Sequence, residues 1–135
     1  MPRASVSYVA DTHPFLWYVS GNVQKLGPEA RMAFDAADSG RAAGIVPSVA
    51  LPEAVYIAEK GRVRVKLEHL FELLETAINY RVYPLDFTIV KTASELKKLS
   101  EIHDRIIVGT ARHLDLDIIS NDGEIRDSGY VRTIW

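Results

Sequence analysis

The chain has 135 residues, a formal net charge of −2 and no cysteine. This length is typical of one domain, which we expect to span residues 1–135 and to bury a core without disulfide bonds. The lack of cysteine excludes disulfides and thiolate zinc sites, and the near-neutral charge argues against a surface that is basic throughout. No segment reaches the roughly 18 apolar residues of a membrane helix, and the N-terminus lacks the apolar core of a signal peptide. We therefore expect a soluble, cytoplasmic protein with no membrane partner.

Short apolar runs that suit buried strands alternate along the chain with helical patterns. In chain order, the predicted strands are VSYVA (residues 6–10), AGIVPS (43–48), YRVYPL (80–85), LDIISND (116–122) and YVRTIW (130–135). The predicted helices are PEARMAFDAAD (28–38), VALPEAVYIAEKG (49–61), VKLEHLFELLETAINY (65–80), FTIVKTASELKKL (87–99) and HDRIIVGTARHL (103–114). No repeat or linker divides the chain.

Several residues mark where these elements begin and end. After the first strand we expect the chain to turn at Pro14, and Ser48 and Asp86 are positioned to cap the helices that follow them. The helix over residues 65–80 has the clearest pattern, since its apolar residues recur at i, i+3, i+4 and i+7. We expect those residues to face the core: Leu67, Leu70, Phe71, Leu74, Ala77 and Ile78.

The alternation of strands and helices predicts an α/β fold with a parallel sheet covered by helices on both faces. The strand runs lack polar alternation, as expected when both faces of a sheet are buried. Ligand sites in such sheets lie beyond the carboxyl ends of the strands. The residues that follow the predicted strands are therefore the first candidates for a functional site.

Four acidic side chains come from separate segments near such positions. Asp11 follows the first strand and Asp122 follows the apolar DIIS stretch of the fourth, while Glu53 and Asp104 lie early in two predicted helices. Carboxylates crowded into a poorly solvated cleft repel one another, and a divalent cation removes that repulsion. Oxygen ligands without cysteine or a histidine pair favour Mg²⁺ or Mn²⁺. These four acids are the predicted metal ligands and catalytic residues.

Longer stretches around these acids resemble the PIN-domain nucleases, most closely the toxin ribonucleases of VapBC toxin–antitoxin modules. The opening ADTHPFLWYVSG is similar to the family's Asp–Thr/Ser start, and PSVALPEAVYIAEKGRV is similar to the segment with its helical acid. The most specific stretch is IHDRIIVGTARHLDLDIISND, where an Asp opens a helix and a hydroxyl residue stands two positions before the last Asp. The resemblance covers essentially the whole chain in the family's order.

The resemblance implies a single-domain fold with strand order 3-2-1-4-5 and Mg²⁺- or Mn²⁺-dependent cleavage of RNA by metal-activated water. It assigns metal binding and catalysis to Asp11, Glu53, Asp104 and Asp122. Candidates to contact substrate or to support these acids are Thr12, His13, Arg105 and Ser120. As partners it implies an RNA substrate, a second copy of the chain in a homodimer, and a small antitoxin whose C-terminal segment lies across the site.

Other interpretations stay open at this point. Asp11 and Asp122 also suit turns, and Glu53 and Asp104 also suit the starts of helices. A PIN-fold RNA-processing nuclease, or a catalytically weak module that binds RNA or protein, shares the same pattern. A receiver or a dehalogenase-type phosphatase is disfavoured, because the first strand is followed by DTH rather than by an acidic pair or Asp-x-Asp.

Two further features have no fixed assignment. The stretch EKGRVRVKLEH, residues 59–69, alternates basic residues with valine, which suits a solvated surface, phosphate contacts to RNA or docking of a partner. Glu124 and Asp127 follow Asp122 closely, so either of them is a candidate to share its metal.

Overall fold

The computed structural model describes residues 6–135, so the first five residues of the predicted domain lie outside the described part. The strands are β1 Val6–Ala10, β2 Ala42–Pro47, β3 Tyr80–Tyr83, β4 Asp117–Ile119 and β5 Thr133–Ile134. The helices are α1 Thr12–Val19, α2 Pro28–Asp38, α3 Ala50–Glu59, α4 Leu67–Thr76, α5 Phe87–Glu95, α6 Ile102–Leu114 and α7 Gly123–Ser128, with a 3₁₀ turn at Val23–Lys25.

The strands form one sheet in the order β3-β2-β1-β4-β5, with every neighbouring pair parallel. This confirms both the α/β class and the strand order expected from the resemblance. β1 lies at the centre, and its residues Val9 and Ala10 pair with Ile118 and Ile119 of β4. The carboxyl ends of β1, β2 and β4 therefore open on the same edge of the sheet.

Successive residues of a strand point to opposite faces of the sheet, and helices cover both of these faces. Ala10, Val46 and Ile119 pack with buried residues of the first four helices, among them Phe34 and Leu70. Val9, Ile45 and Ile118 face the other way and pack with Ile107 and Val108 of α6 and Ile125 of α7. The sheet is thus buried on both sides, as its uninterrupted apolar strands predicted.

The expected turn at Pro14 is wrong, because the chain enters α1 directly after β1. Asp11 is the N-cap of that helix, and its carboxylate accepts a hydrogen bond from the amide of Thr12. Pro14 stands in the first turn of α1. Backbone amides in that turn have no acceptor within the helix, so proline, which lacks the amide proton, is tolerated there. The helix α7 was also not expected; it is capped by Asp122, whose Oδ1 accepts from the amide of Ile125 at 3.0 Å.

Two other expectations need correction. Ser48 does not cap α3, because its hydroxyl accepts a hydrogen bond from the amide of Leu85 and so ties the end of β2 to the segment after β3. The helix α4 ends at Thr76, and Ile78 beyond it is 90% exposed, while Phe71 within it is 39% exposed. Periodicity shows which residues share a face, but it does not show how much of that face is covered. Asp86 does cap α5, as predicted, by accepting from the amide of Ile89.

Across residues 6–135, the helices are all too short or too polar to cross a lipid bilayer.

Candidate active site

The centre of the site is a hydrogen-bonded group at the carboxyl ends of β1 and β4. The Ser120 hydroxyl donates to Asp11 Oδ2 at 2.7 Å and accepts from the backbone amide of Asp122 at 3.1 Å. The other oxygen of Asp11, Oδ1, accepts from the amide of Thr12 at 2.9 Å. Ser120 is 1% exposed. Its buried hydroxyl therefore connects the carboxylate of Asp11 to the backbone of Asp122.

Each acid of this pair also begins a helix. Asp11 caps α1 and Asp122 caps α7, so the two carboxylates lie where the positive ends of two helix dipoles meet. A cap requires a short acceptor side chain, which explains locally why aspartate stands at both positions. The structural roles that the sequence left open are therefore real for both residues, and they hold the carboxylates at the edge of the sheet.

Glu53 and Asp104 approach from helices on the two sides of the sheet. Glu53 lies in the first turn of α3, and Asp104 lies in the first turn of α6. The pKa of Asp104 is raised to about 7, chiefly by burial and then by the negative charges of Asp11, Asp122 and Glu53, in that order. The four predicted acids are thus brought close enough to influence one another.

Asp11 shows the same crowding. Burial raises the pKa of its carboxyl, and the charges of Glu53 and Asp122 act in the same direction. The hydrogen bonds from Ser120 and Thr12 oppose that rise, because they stabilise the ionised form. Two carboxyl groups with raised pKa values at one sheet edge make this edge a candidate functional site.

A cleft of about 320 Å³ opens over the first pair of acids. Its lining includes Asp11, Asp122 and His13, which were sequence candidates, and Trp17 and Asn121, which were not. Asn121 stands between Ser120 and Asp122, and that position after a strand was the one available signal for it. Trp17 was missed because an aromatic residue in an apolar run is usually part of the core. A third missed residue is Glu101, whose charge also raises the pKa of Asp104.

The remaining candidates occupy varied positions. His13 is exposed, and its ring lies 5.9 Å from that of Trp17. Thr12 is 2% exposed, and its hydroxyl has no hydrogen-bond partner among the described residues. Arg105 donates from Nε to the carbonyl of Leu99 at 2.7 Å, which anchors the start of α6.

The two acids after Asp122 have other partners. The carboxylate of Glu124 accepts from both the amide and the hydroxyl of Ser100, at 2.6 Å and 3.0 Å to Oε1. Asp127 forms an exposed ion pair with Arg126 at 3.3 Å. The contacts of Glu124 join α7 to the segment before α6, whereas the pair of Arg126 and Asp127 lies within α7.

The donor set fits a hard divalent cation in kind, since it consists of carboxylate oxygens, and burial together with neighbouring negative charge raises the pKa of two of them, Asp11 and Asp104. As they stand, no three acidic or histidine side chains in residues 6–135 lie close enough to ligate one ion together. The residues therefore match the ligand chemistry of Mg²⁺ or Mn²⁺ without forming a closed shell. Chemically, such a cluster suits the binding of a cation and, through it, of a phosphate.

Comparison with known proteins agrees with this geometry. The model of the PIN domain family matches residues 8–129, which include all four acids. Among solved structures, the chain is similar to a toxin–antitoxin complex from Klebsiella pneumoniae, with 18% identity, a TM-score of 0.65, and coverage of 92% of this chain and 94% of the other.

Two further structures show the same likeness. DNA-bound VapBC from Salmonella typhimurium has 17% identity and a TM-score of 0.67, with 95% of this chain and 96% of the other covered. VapBC2 from Rickettsia felis, bound to a DNA fragment from its promoter, has 12% identity and a TM-score of 0.68, with 95% and 97% covered. At these identities the likeness shows the fold. No curated protein sequence matches the chain significantly.

Proposed function

This chain belongs to the PIN domain family, and from that premise we propose that it is a metal-dependent endoribonuclease and the toxin of a toxin–antitoxin pair. The observation that carries the proposal is the electrostatic coupling of Asp11, Glu53, Asp104 and Asp122 at one sheet edge. Four carboxylates held near one another without a cation destabilise the folded state, and a bound cation would offset that destabilisation.

Asp11 and Asp122, linked by Ser120, would hold Mg²⁺ or Mn²⁺ together with Asp104, and Glu53 completes the set from α3. When bound, such a cation offsets the charge on phosphodiester oxygens and lowers the pKa of a water molecule. The residues of the chain position the acids and present the cleft to the substrate, and the hydrogen bonds from Ser120 and Thr12 favour the ionised form of Asp11. Hydrolysis of this kind needs no nucleophilic side chain.

A row of cations supports RNA as the substrate. Residues 61–66 follow α3 in an irregular segment in which Val63 is buried while Arg62, Arg64 and Lys66 are exposed. Anchoring by the valine turns the basic side chains outward. Arg62 and Lys60 also lie 5.5 Å from the ring centre of Tyr56, which stands one helical turn after Glu53. A half-exposed aromatic ring between two basic side chains suits a nucleotide, because the base can stack on the ring while the phosphate pairs with the basic groups.

The partners follow from the same relatives. Three of the solved structures that the chain resembles are toxin–antitoxin complexes, so a small antitoxin protein is the partner we propose, together with a homodimer of this chain. A cytoplasmic location fits that role, because RNA and antitoxin are found there.

The proposal is tested by incubating the purified protein with structured RNA and Mn²⁺ or Mg²⁺. We expect cleavage that EDTA stops and that Asp11→Asn abolishes, while circular dichroism shows an unchanged fold. Asp115→Asn is the matched control, because Asp115 is exposed at the end of α6 and its left-handed φ of 56° is tolerated by asparagine.

The outcomes separate the alternatives. Full activity of Asp11→Asn overturns the site assignment. An absence of both cleavage and metal binding by calorimetry supports the module that binds RNA or protein. Metal binding without cleavage of any supplied RNA points to an RNA-processing nuclease with a narrow substrate.

A further inference from the structure

A second polar cavity lies away from the acidic cleft. It has a volume of about 410 Å³ and opens between the ends of α1 and α2, the helix α4 and the start of β3. Tyr80 is the first residue of β3, whereas Asp11 follows the last residue of β1, so the cavity is at the opposite edge of the parallel sheet from the four acids. Nothing in the nuclease proposal uses it.

The buried wall of this cavity contains a hydroxyl group without a partner. Tyr80 is 4% exposed, and its Oη has no hydrogen-bond partner within the described chain. The ring is held in place from two sides, since it packs 5.6 Å from the ring of Phe15, and a side chain at Gly44 would lie 2.6 Å from it. A buried hydroxyl usually finds a partner, so an unpaired one that lines a cavity suggests that the cavity receives a ligand.

The mouth of the cavity carries uncompensated negative charge. Asp35 and Asp38 line it from the end of α2, and neither belongs to an ion pair among residues 6–135. Asp35 Oδ1 accepts from the hydroxyl of Tyr18 at 2.9 Å, which fixes that carboxylate against the cavity wall. Both acids raise the pKa of the Tyr80 hydroxyl, after burial and Tyr18, so the four polar groups face a common space.

The rest of the lining is apolar. Val19 and Val23 come from α1 and the turn after it, and Leu73 comes from α4. A ligand that fits this space therefore needs an aliphatic stem, a positive end and hydrogen-bond donors. We propose that the cavity receives the arginine side chain of a partner polypeptide, with its guanidinium between Asp35, Asp38 and Tyr80 and its methylene groups against Val19 and Leu73.

Two observations favour arginine on a polypeptide over a free amine. A planar guanidinium can donate to both carboxylates and to the tyrosine oxygen at once, whereas an ammonium is a compact point charge. An apolar side chain near the cavity along the chain is also exposed, since Ile78, two residues before Tyr80, is 90% exposed. Exposed apolar side chains around a charged pocket are typical of protein interfaces.

The test uses the full chain and N-acetyl-L-arginine methylamide, followed by methyl NMR of Val19 and Leu73. We expect saturable shifts at these methyl groups. The matched ligand is N-acetyl-L-citrulline methylamide, which has the same shape without the charge and is expected to bind at least tenfold more weakly. The double variant Asp35→Asn/Asp38→Asn should lose the shifts, and Tyr80→Phe should weaken binding while the fold is kept. Asp115→Asn serves again as the control for charge removal.

Each outcome bears on the proposal. Saturable binding that depends on Asp35 and Asp38 and prefers arginine over citrulline supports it. Absence of shifts in the cavity up to the solubility limit of the probe, or equal binding of citrulline, overturns it. If putrescine binds as tightly as the arginine amide, the cavity is a site for small amines and the assignment to a polypeptide is wrong. None of these readouts depends on RNA cleavage.

Discussion

The hydroxyl of Ser120 donates a 2.7 Å hydrogen bond to Asp11 Oδ2, although the two residues are 109 positions apart in the chain. The same oxygen accepts from the amide of Asp122, so one small side chain contacts both acids. The bond lowers the pKa of Asp11 against the effect of burial. Ser120 is therefore a positioning residue for the carboxylate pair.

Replacement of that serine tests its role. Ser120→Ala should lower the free energy of unfolding by about 1–2 kcal/mol, because it leaves the partly buried amide of Asp122 without its acceptor. It should also lower kcat/KM by roughly tenfold or more, as is usual for residues that orient metal ligands. The pH–rate profile should shift to higher pH, because the hydrogen bond that lowers the pKa of Asp11 is lost. Urea denaturation and a pH profile of cleavage measure these effects.

Ser128→Ala is the matched control for this variant. Ser128 is also buried, and its hydroxyl likewise donates to one group, the carbonyl of Ile125, and accepts from the amide of Tyr130. We expect a similar loss of stability with an unchanged pH profile. An equal change of the pH profile in both variants would show that Ser120 acts through stability alone.

Asp104 makes the metal-free protein sensitive to pH. Its pKa is raised from 3.8 to about 7, so the folded state binds this proton more tightly than the unfolded state does. The resulting stabilisation is fully present below pH 3.8 and is lost as the pH rises through about 7. In EDTA, the free energy of unfolding should therefore decrease between pH 5 and pH 8, and Asp104→Asn should reduce that decrease. A variant that keeps the whole decrease would contradict the assignment of the shift to Asp104.

The basic segment after α3 should contribute to RNA affinity through charge. In Arg62→Gln/Arg64→Gln, the slope of log Kobs against log salt concentration should become shallower by about 1.4, since each phosphate contact on a single strand contributes roughly 0.7. Filter binding of RNA to the metal-free protein gives this slope. The double variant Arg41→Gln/Arg81→Gln, which removes two exposed arginines near the amino ends of β2 and β3, is expected to leave the slope nearly unchanged.

Tyr80→Phe should stabilise the isolated protein. The substitution keeps the packed ring and removes a buried hydroxyl that has no partner in the described structure, so we expect a gain of about 1 kcal/mol in the free energy of unfolding. Chemical denaturation without any added ligand measures it. A loss of stability instead would mean that the hydroxyl is already satisfied, for instance by a bound water molecule.

Much of this architecture is present in the sequence. The apolar strands, Asp86 as a cap and the helix over residues 103–114 were predicted from local patterns alone, because each depends on short-range chemistry. The strand order came from the resemblance to PIN nucleases, since local patterns do not encode which strands are neighbours. The four acids were selected by their positions after strands and at helix starts, and the carboxyl ends of β1 and β4 do lie side by side in the sheet.

Other features depend on tertiary contacts and were not accessible. Ser48 has the right chemistry for a helix cap. Its hydroxyl instead accepts a hydrogen bond from the amide of Leu85, which belongs to a distant segment. Pro14 suggested a turn because proline is tolerated both in turns and in the first turn of a helix, and only the neighbouring cap decides between them. The link from Ser120 to Asp11 needs the register of β1 and β4, which a single sequence does not reveal.

That register also has a consequence for the nascent protein. Ala10 pairs with Ile119, so Asp11 meets Ser120 only when β4 has docked beside β1 with this alignment. A slip of one position would turn Ser120 to the other face of the sheet. A chain still on the ribosome before β4 is made has one carboxylate of the pair and no serine. Under the nuclease function proposed above, such a chain would lack the assembled site, and the site would form in one late step of folding rather than growing with chain length.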